Sequence, residues 1–176
     1  LIRTERQFAV HEIVDIGIEL TRALDFAHRK GIVHRDVKPG NVMMVQDRNT
    51  VKVTDFGICQ VDSADATELT QQTRLGDVLG TPNYMSPEQV AGGKVDARSD
   101  LFSVGVVLYR LITGVLPFEG DSVITVAYKI AQAEAPAVEQ LRPGIPLSLR
   151  RAVDRALKKQ PEKRFQTGEE FAHALI

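Results

Sequence analysis

The chain has 176 residues, 43% of them hydrophobic and 26% charged, enough for one soluble domain with a sizeable core. Its 22 Lys and Arg against 23 Asp and Glu leave a formal charge of -1, which excludes the basic field that nucleic acid or an anionic membrane surface would require. A single cysteine, Cys59, excludes an internal disulfide or a Cys-rich zinc site, fits a reducing cytoplasmic compartment, and reads as a small packing residue.

The first residues, LIRTERQF, lack the basic start and apolar run of a signal peptide. Val10, Ile13, Val14, Gly17, Leu20, Leu24 and Ala27 then follow helical spacing, with Arg29, Lys30 and Gly31 as stop signals, so one long helix is predicted over roughly 8–30. NVMMV and VKVTD, separated by QDRN, predict a small hairpin at about 42–45 and 51–54. The polar stretch 58–79 shows no period and reads as a long loop, a feature that in a compact domain is usually functional or disordered. SPEQ, residues 86–89, places Ser at the N-cap, Pro at N1 and Gln at N3 of a short helix.

From Ser99 to Ile112 nearly every position is apolar, which predicts a helix buried on all sides and ended by Gly114. Arg110 interrupts that run, and it is too short to cross about 30 Å of hydrocarbon, so no membrane insertion is expected of it. Further helices are predicted at 122–134, 147–159 and from 168 to the end, the last with Thr167 and Glu170 as a capping box. The fold class is therefore mainly α with one small β-hairpin, and the hairpin carries the charged motifs.

Those motifs are HRDVKPGN at 34–41 and DFG at 55–57. Phosphoryl transfer needs a carboxylate to orient the attacking hydroxyl, a cation to offset charge on the moving phosphate, and oxygen ligands for magnesium. Asp36 suits the first role, Lys38 the second, and Asn41 with Asp55 the third, since Mg²⁺ prefers hard oxygen donors. Taken singly, His34 would be a core histidine, Met43 core filler and any one Asp or Lys a solvated charge.

Together, in this order and spacing, the motifs resemble those of the protein kinase family: HRDVKPGN its catalytic loop, DFG its magnesium-binding motif, and MSPE its APE position with Ser86 in place of Ala. Lys38-Pro39 and GTPNYMSPE are similar to serine/threonine rather than tyrosine kinases, and the wording is nearest to the bacterial kinases of eukaryotic type. The likeness runs through DARSDLFSVGVVLYRLITGVLPF and PEKRFQT, essentially the whole chain, and implies the family's large C-terminal lobe with an activation segment at 55–88. It implies ATP and Mg²⁺ as cofactors and proteins with Ser or Thr acceptors as substrates. It also implies a set of supporting roles. Thr81 would contact Asp36 and Lys38, and Gly40, Met43 and Thr54 would line the nucleotide site, with Met43 as the adenine floor. His34 and Phe56 would stack in an apolar spine, Asp100 would hold the catalytic-loop backbone, and Glu88 would pair with Arg164. Arg35 would receive a phosphate on Thr70 or Thr73, with Thr67 and Ser63 behind them, although Gln60 stands where many relatives place a second basic partner.

The 176 residues contain no GxGxxG, no VAIK-like stretch and no hinge segment, so the small N-terminal lobe of such a kinase is expected to lie outside them. From this follow three expectations for the chain by itself: little or no activity, poor nucleotide affinity, and self-association through the uncovered face around Met43 and Phe56 or by exchange of the segment 58–79 between copies. The competing function class is a pseudokinase-like or truncated lobe acting as a binding module. Intact Asp36, Lys38, Asn41 and Asp55 favour the kinase.

Overall fold

The computed structural model describes residues 7–45, 50–55 and 82–176. Its axis is the apolar run of the sequence. A helix whose side chains are apolar all round has no face to give to water, and every residue from Ser99 to Tyr109 is buried. This helix spans Ala97–Thr113, and its first turn is capped by Asp96, whose carboxylate accepts the Arg98 N–H at 2.9 Å. Its end is set by Gly114, at φ 80, the left-handed conformation that a residue without Cβ adopts at no steric cost.

In chain order the elements are α1 (Val10–His28), β1 (Val42–Val45), β2 (Thr50–Val53), α2 (Pro87–Val90), α3 (Ala97–Thr113), α4 (Val123–Gln132), α5 (Val138–Leu141), α6 (Leu147–Ala156) and α7 (Gly168–Leu175). The apolar stripe of α1, from Ile13 through Ile16, Gly17 and Leu20 to Leu24, packs against α3 and α7. Helix α6 packs on another side of α3. Gly105 permits this approach, since a Cβ there would stand 2.8 Å from the Ala156 Cβ. Two stacked rings, Phe165 and Phe171, with centroids 4.3 Å apart, close the core beside α7.

Buried polar groups tie the helices end to end. Asp25 on α1 is 5% exposed, and its Oδ1 accepts the N–H of Gly168 at 3.0 Å and of Glu169 at 3.3 Å, a carboxylate set on the positive end of α7. Lys159 Nζ donates to the Ile130 carbonyl at 2.6 Å, satisfying the C-terminal end of α4, and lies 3.8 Å from the centre of the Phe118 ring. Burial pushes its ammonium pKa down to about 8.

The hairpin is antiparallel, with Val42 opposite Val53 and Met43 opposite Lys52. Val42 and Val51 face the core while Met43 and Lys52 face outward, the alternation expected of a half-buried pair.

Several predicted bounds move, each for a tertiary reason. The second strand is Thr50–Val53 rather than 51–54: the Thr54 N–H still donates to the Asn41 carbonyl directly across from it at 2.9 Å, but Asn41 belongs to the Pro39–Asn41 turn, so the paired strands end at Val42 and Val53. Helix α6 stops at Ala156 rather than 159. Just beyond it, the carbonyls of Lys158 and Lys159 accept from Arg164, at 2.6 and 2.7 Å. Only half of the predicted box on α7 forms as expected. Thr167 Oγ1 accepts the Glu170 N–H at 3.1 Å, but Glu170 Oε2 accepts from Gln166 N–H at 2.7 Å, one residue before the cap. The one-turn helix α5 and the 3-10 turns Pro39–Asn41 and Pro161–Lys163 are too short to show a period and were not predicted. Among the described residues no helix is long and apolar enough to cross a membrane.

Candidate active site

The site grows from the segment between α1 and β1, where the chain has left the helix but the His34 N–H and both backbone polar groups of Arg35 and Asp36 still find partners. Asp100, on the first turn of α3 and 1% exposed, accepts the His34 N–H through Oδ2 and the Arg35 N–H through Oδ1, both at 2.8 Å. His28, near the end of α1, hydrogen-bonds the same Oδ2 at 2.7 Å through Nε2. One buried carboxylate thus joins α1, α3 and the loop, and its desolvation is offset by three donors.

The next groups are held as tightly. The Arg35 carbonyl accepts from Gln89 Nε2 of α2 at 2.8 Å. The Asp36 N–H donates to His34 Nδ1 at 3.2 Å, so His34 carries its hydrogen on Nε2 and gives it to the Thr54 carbonyl at 3.1 Å. The Asp36 carbonyl accepts from Asn41 Nδ2 at 2.9 Å. These bonds hold Arg35 at φ 66, a left-handed conformation that costs a residue with a Cβ about 1–2 kcal/mol.

With the backbone fixed, the side chains converge. Lys38 Nζ lies 2.7 Å from Asp36 Oδ2, and Asn41 Nδ2 donates to that oxygen at 3.0 Å. Asp36 and Lys38 are 46% and 44% exposed, so their pairing contributes little to stability and its value is geometric: a carboxylate and an ammonium presented together to solvent. Asn41, 6% exposed, sits at the end of the Pro39–Asn41 turn with its amide nitrogen committed to Asp36, which leaves Oδ1 as the atom it could offer to a metal. The Thr54 N–H and Oγ1 both bond the Asn41 carbonyl, at 2.9 and 3.3 Å, so Asp55 follows directly from a residue clamped to Asn41. Asp55 is exposed and, at φ 52, is the other described residue with a Cβ and a positive φ. One carboxylate and one amide oxygen suit Mg²⁺, which usually keeps several waters and takes its remaining ligands from substrate phosphates. Among the described residues no cluster of three or more His, Cys, Asp or Glu forms an all-protein metal cage.

Beneath the site lies a second anchored structure. Arg164 is fully buried and uses all five N–H donors: Nη1 to Glu88 Oε1 and Nη2 to Glu88 Oε2, each at 2.7 Å, and the rest to the carbonyls of Arg98, Lys158 and Lys159. Ser99 Oγ donates to Glu88 Oε1 at 2.6 Å. Burial works to raise the Glu88 pKa, but the hydrogen bonds from Arg164 and Ser99 outweigh it and hold the carboxyl below its usual 4.5. Tyr84, just before α2, fastens the same platform to α3, accepting from Ser103 Oγ at its carbonyl and from Arg110 at its hydroxyl, at 2.6 and 2.5 Å.

Of the residues singled out in the sequence, Asp36, Lys38 and Asn41 meet at one oxygen, Asp55 and Thr54 lie alongside, Asp100 bonds the loop backbone, and Glu88 and Arg164 form a bidentate pair. Gly40 is exposed in the turn, and Met43 is 45% exposed on the outer face of β1. Phe56, Cys59, Thr70, Thr73 and Thr81 lie outside the described residues, as do the segment 58–79 and therefore the expected spine contact and segment exchange. His28 and Gln89 were not foreseen as site residues. Their partners, Asp100 and Arg35, are 72 and 54 positions away, and no local pattern links them.

Comparison of the sequence with known proteins places the chain in a family. The family model described as "Protein kinase domain" matches residues 1–176. The chain is 43% identical over its whole length to a serine/threonine-protein kinase PknB of Mycobacterium leprae, covering 28% of that protein. It is 38% identical over 99% of its length to a probable serine/threonine-protein kinase of Clostridium acetobutylicum, and 44% identical over 97% to the serine/threonine-protein kinase pkn3 of Myxococcus xanthus, covering 26% and 32% of those proteins. The chain spans about a quarter to a third of the length of the curated relatives it matches. With a mainly helical body, a two-stranded sheet and the catalytic-loop arrangement described above, the chain belongs to the protein kinase domain family, among the bacterial serine/threonine kinases of eukaryotic type.

Proposed function

We propose that these residues form the C-terminal lobe of an ATP- and Mg²⁺-dependent serine/threonine protein kinase, with the activation segment at 55–88 and the glycine-rich loop and strand lysine supplied by chain outside them. The observation that carries this reading is the convergence of Lys38 and Asn41 on Asp36 Oδ2. In the step it supports, the hydroxyl oxygen of an acceptor Ser or Thr forms a bond to the γ-phosphorus of ATP. The bond from that phosphorus to the β–γ bridging oxygen breaks, and its electron pair leaves with ADP. Asp36 orients the hydroxyl and takes its proton, while Lys38 meets the charge on the transferred oxygens. Mg²⁺ bound by Asn41 Oδ1 and the Asp55 carboxylate would neutralise the phosphates.

Phosphate transfer from labelled Mg-ATP to a protein substrate by the full-length gene product tests the reading. Asp36→Ala should lower turnover by about a hundred-fold or more, and Asp55→Ala should do the same with a rise in the Mg²⁺ concentration required. Wild-type turnover in Asp55→Ala would remove that residue from the metal site. Turnover unaffected by either change would remove the site itself.

A further inference from the structure

We propose that Gln89 is a positioning residue of this site, one that sets the peptide joining Arg35 to Asp36 and thereby ties α2 to the catalytic carboxylate. The inference rests on the kinase reading above. Both ends of the Gln89 amide are used. Its Oε1 accepts the Ser86 N–H at 2.9 Å, closing the capping box of α2, and its Nε2 donates to the Arg35 carbonyl at 2.8 Å.

That carbonyl is not an arbitrary acceptor. A peptide unit is planar, so the Arg35 C=O and the Asp36 N–H turn together. The Asp36 N–H points at His34 Nδ1, 3.2 Å away, and the Asp36 Cα hangs from the same plane. On the other side, the Arg35 N–H is fixed by Asp100 Oδ1 at 2.8 Å. Arg35, at φ 66, is therefore gripped from α3 through its N–H and from α2 through its C=O, and it needs both grips because its own backbone preference opposes the conformation.

The role also explains why a glutamine fits here. The position requires an acceptor for the cap and a donor for the loop on one side chain. Glutamate would keep the first and set an oxygen against the Arg35 carbonyl, while an aliphatic residue would supply neither. A displacement of α2, and of the segment 82–86 leading into it, would release the Arg35–Asp36 peptide, so the order of that platform is transmitted to the catalytic Asp through one side chain.

The test compares Gln89→Glu with Ser86→Ala in the full-length gene product. Gln89→Glu keeps an acceptor for the Ser86 N–H but replaces the donor to the Arg35 carbonyl with an oxygen, so kcat should fall about ten-fold, as for one lost buried hydrogen bond, with KM for Mg-ATP near wild type. Ser86→Ala weakens the cap but keeps both Gln89 bonds, so it should lower the melting temperature and leave kcat unchanged. Wild-type kcat in Gln89→Glu, or an equal loss in Ser86→Ala, would overturn the proposal. A second readout does not depend on turnover: the Arg35 ¹³C′ and Asp36 ¹⁵N resonances should shift in Gln89→Glu and stay in Ser86→Ala, and unchanged resonances in Gln89→Glu would overturn it too. Absence of Asp36-dependent phosphotransfer in the wild type would count against the kinase reading instead, and the resonances would still decide whether Gln89 sets the peptide.

Discussion

The catalytic loop and the central helix touch at Asp100 yet are stabilised in opposite ways. Helix α3 is held by area: its side chains from Leu101 to Tyr109 are buried and almost wholly apolar, each contact is replaceable, and no single atom decides the outcome. The loop 34–41 buries a single apolar side chain, Val37, beside the polar His34 and Asn41. It is held by discrete bonds to Asp100, Gln89, Asn41 and Thr54, and two of its functional side chains are nearly half exposed. Shape in the first region tolerates small errors, whereas in the second a single missing donor changes where Asp36 points. A scaffold stabilised by area can hold a strained, polar site without depending on it, which is why the losses of activity expected at Asp36 and Asp55 should leave the fold intact.

Arg164 offers the strongest way to break this contrast, because it brings discrete bonding into the core. Arg164→Leu would leave Glu88 partly desolvated without its cation and three carbonyls without the N–H groups Arg164 gives them, and should cost about 3–5 kcal/mol, read as a drop in the urea midpoint at unchanged slope. A loss below about 1 kcal/mol would mean that the pair behaves like a surface salt bridge despite its burial. Next in size is Gly105→Val. The added side chain would meet Ala156 Cβ and Leu157 and push α6 from α3, at a cost of about 1–3 kcal/mol, with KM for Mg-ATP unaltered. If this packing change lowered KM or kcat as much as Gln89→Glu lowers kcat, the two regions would not be separable.

The smallest effect is electrostatic. Since the folded Glu88 pKa lies below its unfolded value of 4.5, the pair contributes stability that is fully present above 4.5 and is lost as pH falls through the lowered folded value. Denaturant titrations between neutral pH and pH 3 should therefore show a steeper acid decline in the wild type than in Glu88→Gln. Parallel curves would show that Glu88 is not held below its usual range.

Sequence by itself determined the elements whose signals are local. The long α1, the buried α3, the Gly114 stop and the SPEQ cap follow from periodicity, hydrophobicity and turn chemistry within a few residues, and α1 and α3 fall within two residues of their predicted bounds. The candidate site residues Asp36, Lys38, Asn41 and Asp55 could be picked out because phosphoryl transfer would demand those donor types, and a single short segment with its hairpin provides them. Tertiary structure alone decided what holds them. Arg35 takes a left-handed φ against its own preference because Asp100 and Gln89, from two distant helices, bond its peptide groups. Helix α6 ends early because a buried guanidinium takes the carbonyls beyond it. A hydrogen-bond partner far away along the chain leaves no mark in a local window, since its effect depends on where two helices pack and not on the residues beside it. The chemistry of this site can thus be read from its composition, and its precision only from the fold.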